Sequence, residues 1–180
     1  ILAGVPGRAG ADGAVLALSG RDLAPLRLWR GRPGAELGRA VAGPGDVDGD
    51  GVPDVALGAP RAGPGGEVLV HSGATGQLLY AVPGDEPGDQ FGSVLAAPGD
   101  LNQDGVPDVL AVGLSGNQAL SVLDGRRMFR VEGGLRAAAP AGDIDRDGHP
   151  DILMSFPVWV ISGSVPQPVF SREFGGTSVH

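Results

Sequence analysis

Three nine-residue windows concentrate the carboxylates of this chain. Asp46-Val47-Asp48-Gly49-Asp50-Gly51-Val52-Pro53-Asp54 recurs as Asp100-Leu101-Asn102-Gln103-Asp104-Gly105-Val106-Pro107-Asp108, and again as Asp143-Ile144-Asp145-Arg146-Asp147-Gly148-His149-Pro150-Asp151. The windows hold 11 of the 21 acidic residues and one Arg, a local charge of −10; the other residues carry 12 Arg against 10 acids. Carboxylates this close repel one another, so a folded loop of this composition calls for a cation among them. The spacing names the kind of cation. Oxygen donors at positions 1, 3 and 5, a backbone carbonyl at 7 and a carboxylate at 9 suit calcium, a hard ion that takes six to eight oxygens. Glycine stands at position 6, where the chain must turn around the ion, as Gly51, Gly105 and Gly148. With no Cys and at most one His per window, zinc and copper fit poorly. Magnesium demands a stricter octahedron.

The candidate metal ligands are therefore Asp46, Asp48, Asp50, Val52 through its carbonyl and Asp54; Asp100, Asn102, Asp104, Val106 and Asp108; and Asp143, Asp145, Asp147, His149 and Asp151. That is one calcium ion per window and three per chain. The loop is not an EF-hand, which needs a bidentate Glu at position 12; here that position holds Leu57, Ala111 and Met154. A single Asp-Gly-rich window would read equally well as a solvated turn, but three in register do not. The window with Asn102 has one carboxylate fewer and should bind most weakly.

Around the windows, the flanks repeat as well. A small-residue segment precedes each one, over residues 38–45, 92–99 and 135–142, and a short apolar run follows: Val55-Ala56-Leu57-Gly58, Val109-Leu110-Ala111-Val112 and Ile152-Leu153-Met154. Next come Val15-Leu16-Ala17-Leu18, Val68-Leu69-Val70-His71, Leu120-Ser121-Val122-Leu123 and Val158-Trp159-Val160-Ile161, each ending in Ser-Gly or Asp-Gly. Third runs are Leu26-Arg27-Leu28-Trp29, Leu78-Leu79-Tyr80-Ala81, Met128-Phe129-Arg130-Val131 and Val169-Phe170-Ser171. Short β-branched or aromatic runs bounded by Gly, Asp, Ser or Pro are the signature of strands and hairpins. The Ser-Gly and Asp-Gly pairs are expected to supply the positive-φ turn residue. Each repeat thus holds about four strands, and four-stranded units recurring every 40 to 55 residues predict propeller blades. The fold class is all-β: one β-propeller region over residues 1–180, with approximate repeats 1–54, 55–108, 109–151 and 152–180. Ile1-Leu2-Ala3-Gly4-Val5-Pro6 matches the strand after a loop, and Glu173-Phe174-Gly175-Gly176 matches the segment before one. About four blades' worth of strands is present with three acidic loops, as in a fragment of a longer propeller or a ring completed by other chains.

Composition sets limits on function. Of 180 residues 33 are Gly and 16 Pro, the two worst helix formers, while 42 % are hydrophobic, enough for a core. The net charge of −8 disfavours nucleic acid, whose binding draws on neutralised phosphates. The absence of Cys excludes zinc fingers, thiol enzymes and disulfide scaffolds. Residues 152–171 are uncharged over a membrane-helix length, but their Pro, Gly and Ser content reads as strands and turns. No membrane insertion is expected.

Phe91-Gly92, the loop over residues 100–108 and Gly58-Ala59-Pro60 together resemble FG-GAP repeats, the blades of integrin α-subunit propellers and of many bacterial surface proteins. The resemblance covers nearly the whole chain. It implies calcium held through loop positions 1, 3, 5, 7 and 9, the residues named above. Departures are Leu37-Gly38 and Gly134-Leu135 in place of Phe-Gly, and Ala111-Val112-Gly113 and Ser155-Phe156-Pro157 in place of Gly-Ala-Pro. The function expected is a calcium-binding extracellular module, secreted or on the cell surface, that binds a protein or glycan in adhesion, with calcium mainly structural. Two alternatives are an assembly unit that forms homo-oligomers through open blade edges and the non-catalytic propeller part of a secreted enzyme. Catalysis has little to work with. His71 sits on a strand, His149 serves through its backbone, His180 is terminal, and no Gly-x-Ser-x-Gly elbow occurs. Trp29, Trp159 and Tyr80, the last aligned with Trp29, are expected between blades, and Arg126, Arg127 and Arg130 at a solvated hairpin tip.

Overall fold

The structure is a computed structural model and describes residues 1–7, 11–114, 117–120, 127–131, 137–155, 158–161 and 168–172. Fifteen strands and no helix occur among them. The first sheet holds β1 (Leu2–Val5), β2 (Ala14–Leu18) and β3 (Pro25–Arg30). The second holds β4 (Val41–Gly45), β5 (Asp54–Ala59), β6 (Glu67–His71) and β7 (Leu78–Pro83). The third holds β8 (Val94–Gly99), β9 (Asp108–Val112), β10 (Asn117–Leu120) and β11 (Arg127–Val131). The fourth holds β12 (Ala138–Gly142), β13 (Asp151–Met154), β14 (Val158–Ile161) and β15 (Pro168–Arg172). Each sheet is an antiparallel meander in chain order. The strands β4, β8 and β12 lie side by side, β8 in the middle. Successive four-stranded meanders stacked this way are the blades of a β-propeller.

The second strand of a sheet has neighbours on both faces, so its residues must be apolar on both. All of β5 and all of β9 are buried. Val55, Leu57 and Ala59 join Val15, Trp29 and Leu37 in a core between the first two sheets. Ala56 points the other way, into a core with Val68, Val70, Phe91, Leu95, Val109 and Ala111 between the second and third. The two-residue period of the strand thus feeds two cores from one segment.

The first two seams between sheets repeat the same backbone contacts. Leu37 and Phe91, both fully buried, form single parallel bridges to Gly13 and Gly66 of the preceding sheet. The glycine after each then touches that sheet directly. A Cβ on Gly4 would stand 2.2 Å from the Gly38 carbonyl oxygen, and one on Gly58 would stand 2.0 Å from that of Gly92. Leu37 therefore fills the place of Phe91, and the Phe-Gly and Gly-Ala-Pro pieces of the sequence meet across one seam.

Three expectations need correction. First, β-ladder register pairs Val15 with Trp29 and Val68 with Val82, so Trp29 is equivalent to Val82, whereas Tyr80 is equivalent to Arg27. Trp29 is buried between sheets, with its indole donating to the Gly76 carbonyl at 3.3 Å and packing on His71, while Tyr80 is partly buried in the other core. The side chain of Trp159 lies outside the described residues. Second, the third sheet's second run is β10 at Asn117–Leu120, three residues earlier than predicted; residues 121–126 lie outside the described ones. Third, Gly20 and Gly73 do not supply positive φ. Leu23 and Gly76 do. Gly73 is required by space, since its Cβ would stand 2.0 Å from the Pro53 carbonyl oxygen. Arg127, at the start of β11, donates to the Pro83 carbonyl and pairs with Asp85 rather than standing free; Arg126 lies outside the described residues, as does the side chain of Arg130.

The glycine seams predict a specific sensitivity. Gly58→Ala, which must push apart two backbones, should cost about 2 kcal/mol or more. Gly43→Ala, at an exposed site with nothing within 4 Å, should change stability by less than about 0.5 kcal/mol. Urea denaturation of both variants checks this, and equal losses would refute the seam.

Candidate metal centre

Each acidic loop joins the first and second strands of one sheet: β4 to β5, β8 to β9 and β12 to β13. Its position 9 is the first residue of the second strand, so that carboxylate is carried inward while positions 1, 3, 5 and 7 stay exposed or half-buried. Asp54, Asp108 and Asp151 are buried. One oxygen of each accepts the N–H of position 2: Val47 at 2.7 Å, Leu101 at 2.7 Å and Ile144 at 2.6 Å. These bonds staple the loop across its base.

The outer part of the loop folds on its own carboxylates. In the first, Asp46 accepts from the amides of Gly49, Asp50 and Gly51 at 2.8–3.1 Å, Asp48 from Asp50 at 3.1 Å, and Asp50 from Val52 at 2.8 Å. In the second, Asp100 accepts from Asp104 and Gly105, Asn102 from Asp104, and Asp104 from Val106. The third repeats this with Asp143, Asp145, Asp147 and the amide of His149. Short polar side chains that bond amides two to five residues on make turns of this kind. As a result, ligand atoms of Asp46, Asp48 and Asp50 all lie within 4.8 Å of one another, and so do those of Asp143, Asp145 and Asp147. In the second loop, the Asn102 amide donates to Asp104 at 2.9 Å, so a neutral donor stands where the sister loops have a carboxylate.

Position 9 differs between loops. The second oxygen of Asp54 accepts the Gly73 amide at 2.8 Å, which commits Asp54 to backbone on both sides. The corresponding Oδ1 atoms of Asp108 and Asp151 are buried and have no hydrogen-bond partner among the described residues. A buried, unpartnered carboxylate oxygen beside further carboxylates is an electrostatic deficit that a cation satisfies. Burial pushes Asp108 up to about 7, against the pull of the Leu101 amide, and the charges of Asp104 and Asp100 push the same way. Asp145 is raised as well, first by lost solvation and then by Asp147, Asp151 and Asp143, so position 9 acts on the same cluster. The donor set is all oxygen, and it fits a hard divalent ion.

Sequence reasoning missed several participants. The amides of Val47, Leu101 and Ile144 anchor position 9; their one sequence signal is the apolar residue at every position 2. The Gly73 contact and the ring of His149, whose Nδ1 lies 3.1 Å from the Leu101 carbonyl, have no local signal. His71 is not a site residue. Its Nδ1 lies 3.1 Å from the Gly76 carbonyl, and burial lowers its pKa.

The raised Asp108 has a pH consequence for the cation-free protein. A carboxyl that titrates at about 7 in the fold and near 3.8 when unfolded keeps its full stabilising share below the lower value. It loses that share as pH rises towards 7. In EGTA the melting temperature should therefore fall between pH 5 and 8, and Asp108→Asn should flatten the fall. A pH-independent difference between the two proteins would refute this.

Comparison with known proteins fits the geometry. Residues 37–71, which run from the buried Leu37 through the first acidic loop to the end of β6, match the FG-GAP repeat family. Integrin alpha-7 of Rattus norvegicus is 34 % identical over 103 residues, covering 55 % of this chain and 9 % of the integrin. Integrin alpha-6 of Gallus gallus is 32 % identical over 111 residues, covering 59 % and 10 %. The chain thus spans about a tenth of the length of these relatives. A solved structure of BBS1N in complex with ARL6DN, soaked with lead, shares the fold at a TM-score of 0.57 and 11 % identity, covering 92 % of this chain and 49 % of that one. With its stapled acidic loops and glycine seams, the chain carries an FG-GAP repeat over residues 37–71 and is similar to integrin alpha subunits over more than half of its length.

Proposed function

We propose that the chain is an adhesion-type propeller module, working outside the cell, whose acidic loops hold calcium. The observation that carries this reading is the recurrence of one loop architecture at one place in three sheets, with Asp108 and Asp151 each presenting a buried oxygen that lacks a partner. The ligands are Asp46, Asp48, Asp50, the Val52 carbonyl and Asp54 in the first loop, and their counterparts in the second and third. One ion per loop gives three per chain, with the Asn102 loop the weakest. Residues 1–180 act as a single propeller region whose ligand is a protein or glycan, and the integrin relatives support the protein. No catalytic residue is proposed.

Calcium supplies charge neutralisation here, and the loops supply a frame already shaped by backbone amides. The role is chiefly structural. A loop whose dissociation constant is one hundredth of the ambient calcium gains roughly 2.7 kcal/mol of folding stability by mass action. The millimolar calcium outside cells is the range that modules of this kind use.

Asp50→Ala should lower the melting temperature by roughly 5–10 °C in millimolar calcium and have a much smaller effect in EGTA. Differential scanning calorimetry in both buffers checks this. A loss of equal size in EGTA would make Asp50 a purely local loop residue, and the calcium reading would fall.

A further inference from the structure

The acidic loops are neighbours, because the strands that carry them are. Pro107 of the second loop faces Gly45, which precedes the first, and Pro150 of the third faces Gly99, which precedes the second. The two seams differ in chemistry. At the seam between the second and third loops, position 4 of one meets positions 6 and 7 of the next. The Gln103 amide nitrogen donates to the Gly148 carbonyl at 3.1 Å and lies 3.3 Å from Nε2 of His149. Nδ1 of the same ring lies 3.1 Å from the Leu101 carbonyl. A carbonyl can only accept, so Nδ1 carries the proton; Nε2 is then the acceptor for the second N–H of Gln103. All three contacts are satisfied by one neutral tautomer. At the seam between the first and second loops the corresponding residues are Gly49 and Val106, which carry no polar side chain.

The bridge connects groups that each loop already uses. Gly148 and His149 hold Asp143 and Asp147 through their amides at 3.0 and 2.8 Å. On the other side, Leu101 holds Asp108 through its amide at 2.7 Å. Ordering the carboxylates of one loop therefore fixes the atoms to which the other is tied. Gln103 has φ 58°, the left-handed conformation that position 4 adopts in all three loops, as Gly49 at 77° and Arg146 at 63° show.

We propose that the second and third loops bind their cations as a coupled pair, with Gln103 and the His149 ring as positioning residues, while the first loop binds independently. This rests on the calcium reading above. The first ion to bind either loop orders the bridge, so the second binds to a loop whose ordering cost has been partly met.

The test is calorimetric titration of the full chain with calcium chloride, with the first loop silenced by Asp48→Ala and Asp50→Ala. Silencing the third loop as well, by Asp145→Ala and Asp147→Ala, should weaken binding at the second by about fivefold. In Gln103→Gly, which installs the residue of the first loop at that position, silencing the third loop should leave the second unchanged. His149→Val, which copies position 7 of the sister loops, should also uncouple them, and circular dichroism confirms that each variant folds. If silencing the third loop does not affect the second in the Gln103 protein, or if the fivefold effect survives in both uncoupling variants, the coupling is wrong and calcium binding stands. If no loop binds calcium, both readings fall together.

Discussion

Neither the second nor the third sheet can be stable alone, because its second strand is buried on both faces. Val55, Leu57 and Ala59 face one core while Ala56 faces the other, and exposing either face to water would forfeit the burial that orders the strand. The sheets must therefore stack, and the stacking distance is set by backbone. Gly4 against Gly38, and Gly58 against Gly92, approach so closely that no side chain fits between them. Phe91 or Leu37 fills the space beside each contact. A one-dimensional array of units held by such nearest-neighbour contacts is the physical basis of repeat proteins.

The same stacking arranges the chemistry. A loop that joins the first two strands of a blade emerges at one end of it, and stacked blades bring these loops into a row. The position 9 carboxylate begins the second strand, so it is drawn into the interior with it. Asp108 and Asp151 are thus buried as a consequence of strand packing, and each keeps a carboxylate oxygen with no hydrogen-bond partner among the described residues. Asp54 escapes the deficit through the Gly73 amide, a contact that exists because the following hairpin folds back beneath the loop. Three loops of nearly the same sequence accordingly differ in the hydrogen bonding of position 9.

Much of the blade was legible in residue order. The strands after each loop, the outer hairpins and the loops themselves all showed as repeats. What failed did so for identifiable reasons. Tyr80 is matched to Trp29 only by aromatic character; the bulges between Ala17 and Leu18 and between Val70 and His71 fall at equivalent places, and the ladder pairs Tyr80 with Val70 and Trp29 with Val15, so the residue equivalent to Trp29 is Val82. The Ser-Gly pairs looked like turn residues, but Gly73 is small because Pro53 presses on it from another part of the chain.

Local chemistry therefore determined a definite set of features: the two-residue period of the strands and the oxygen-rich composition of the loops. These depend on residue type and spacing over fewer than a dozen positions. Tertiary structure decided which loop carboxylates lose water, which glycines touch, and that Gln103 reaches His149 from 46 residues away. Such contacts join segments whose separation in the chain carries no periodic signal, and burial belongs to the assembled blades rather than to any one segment.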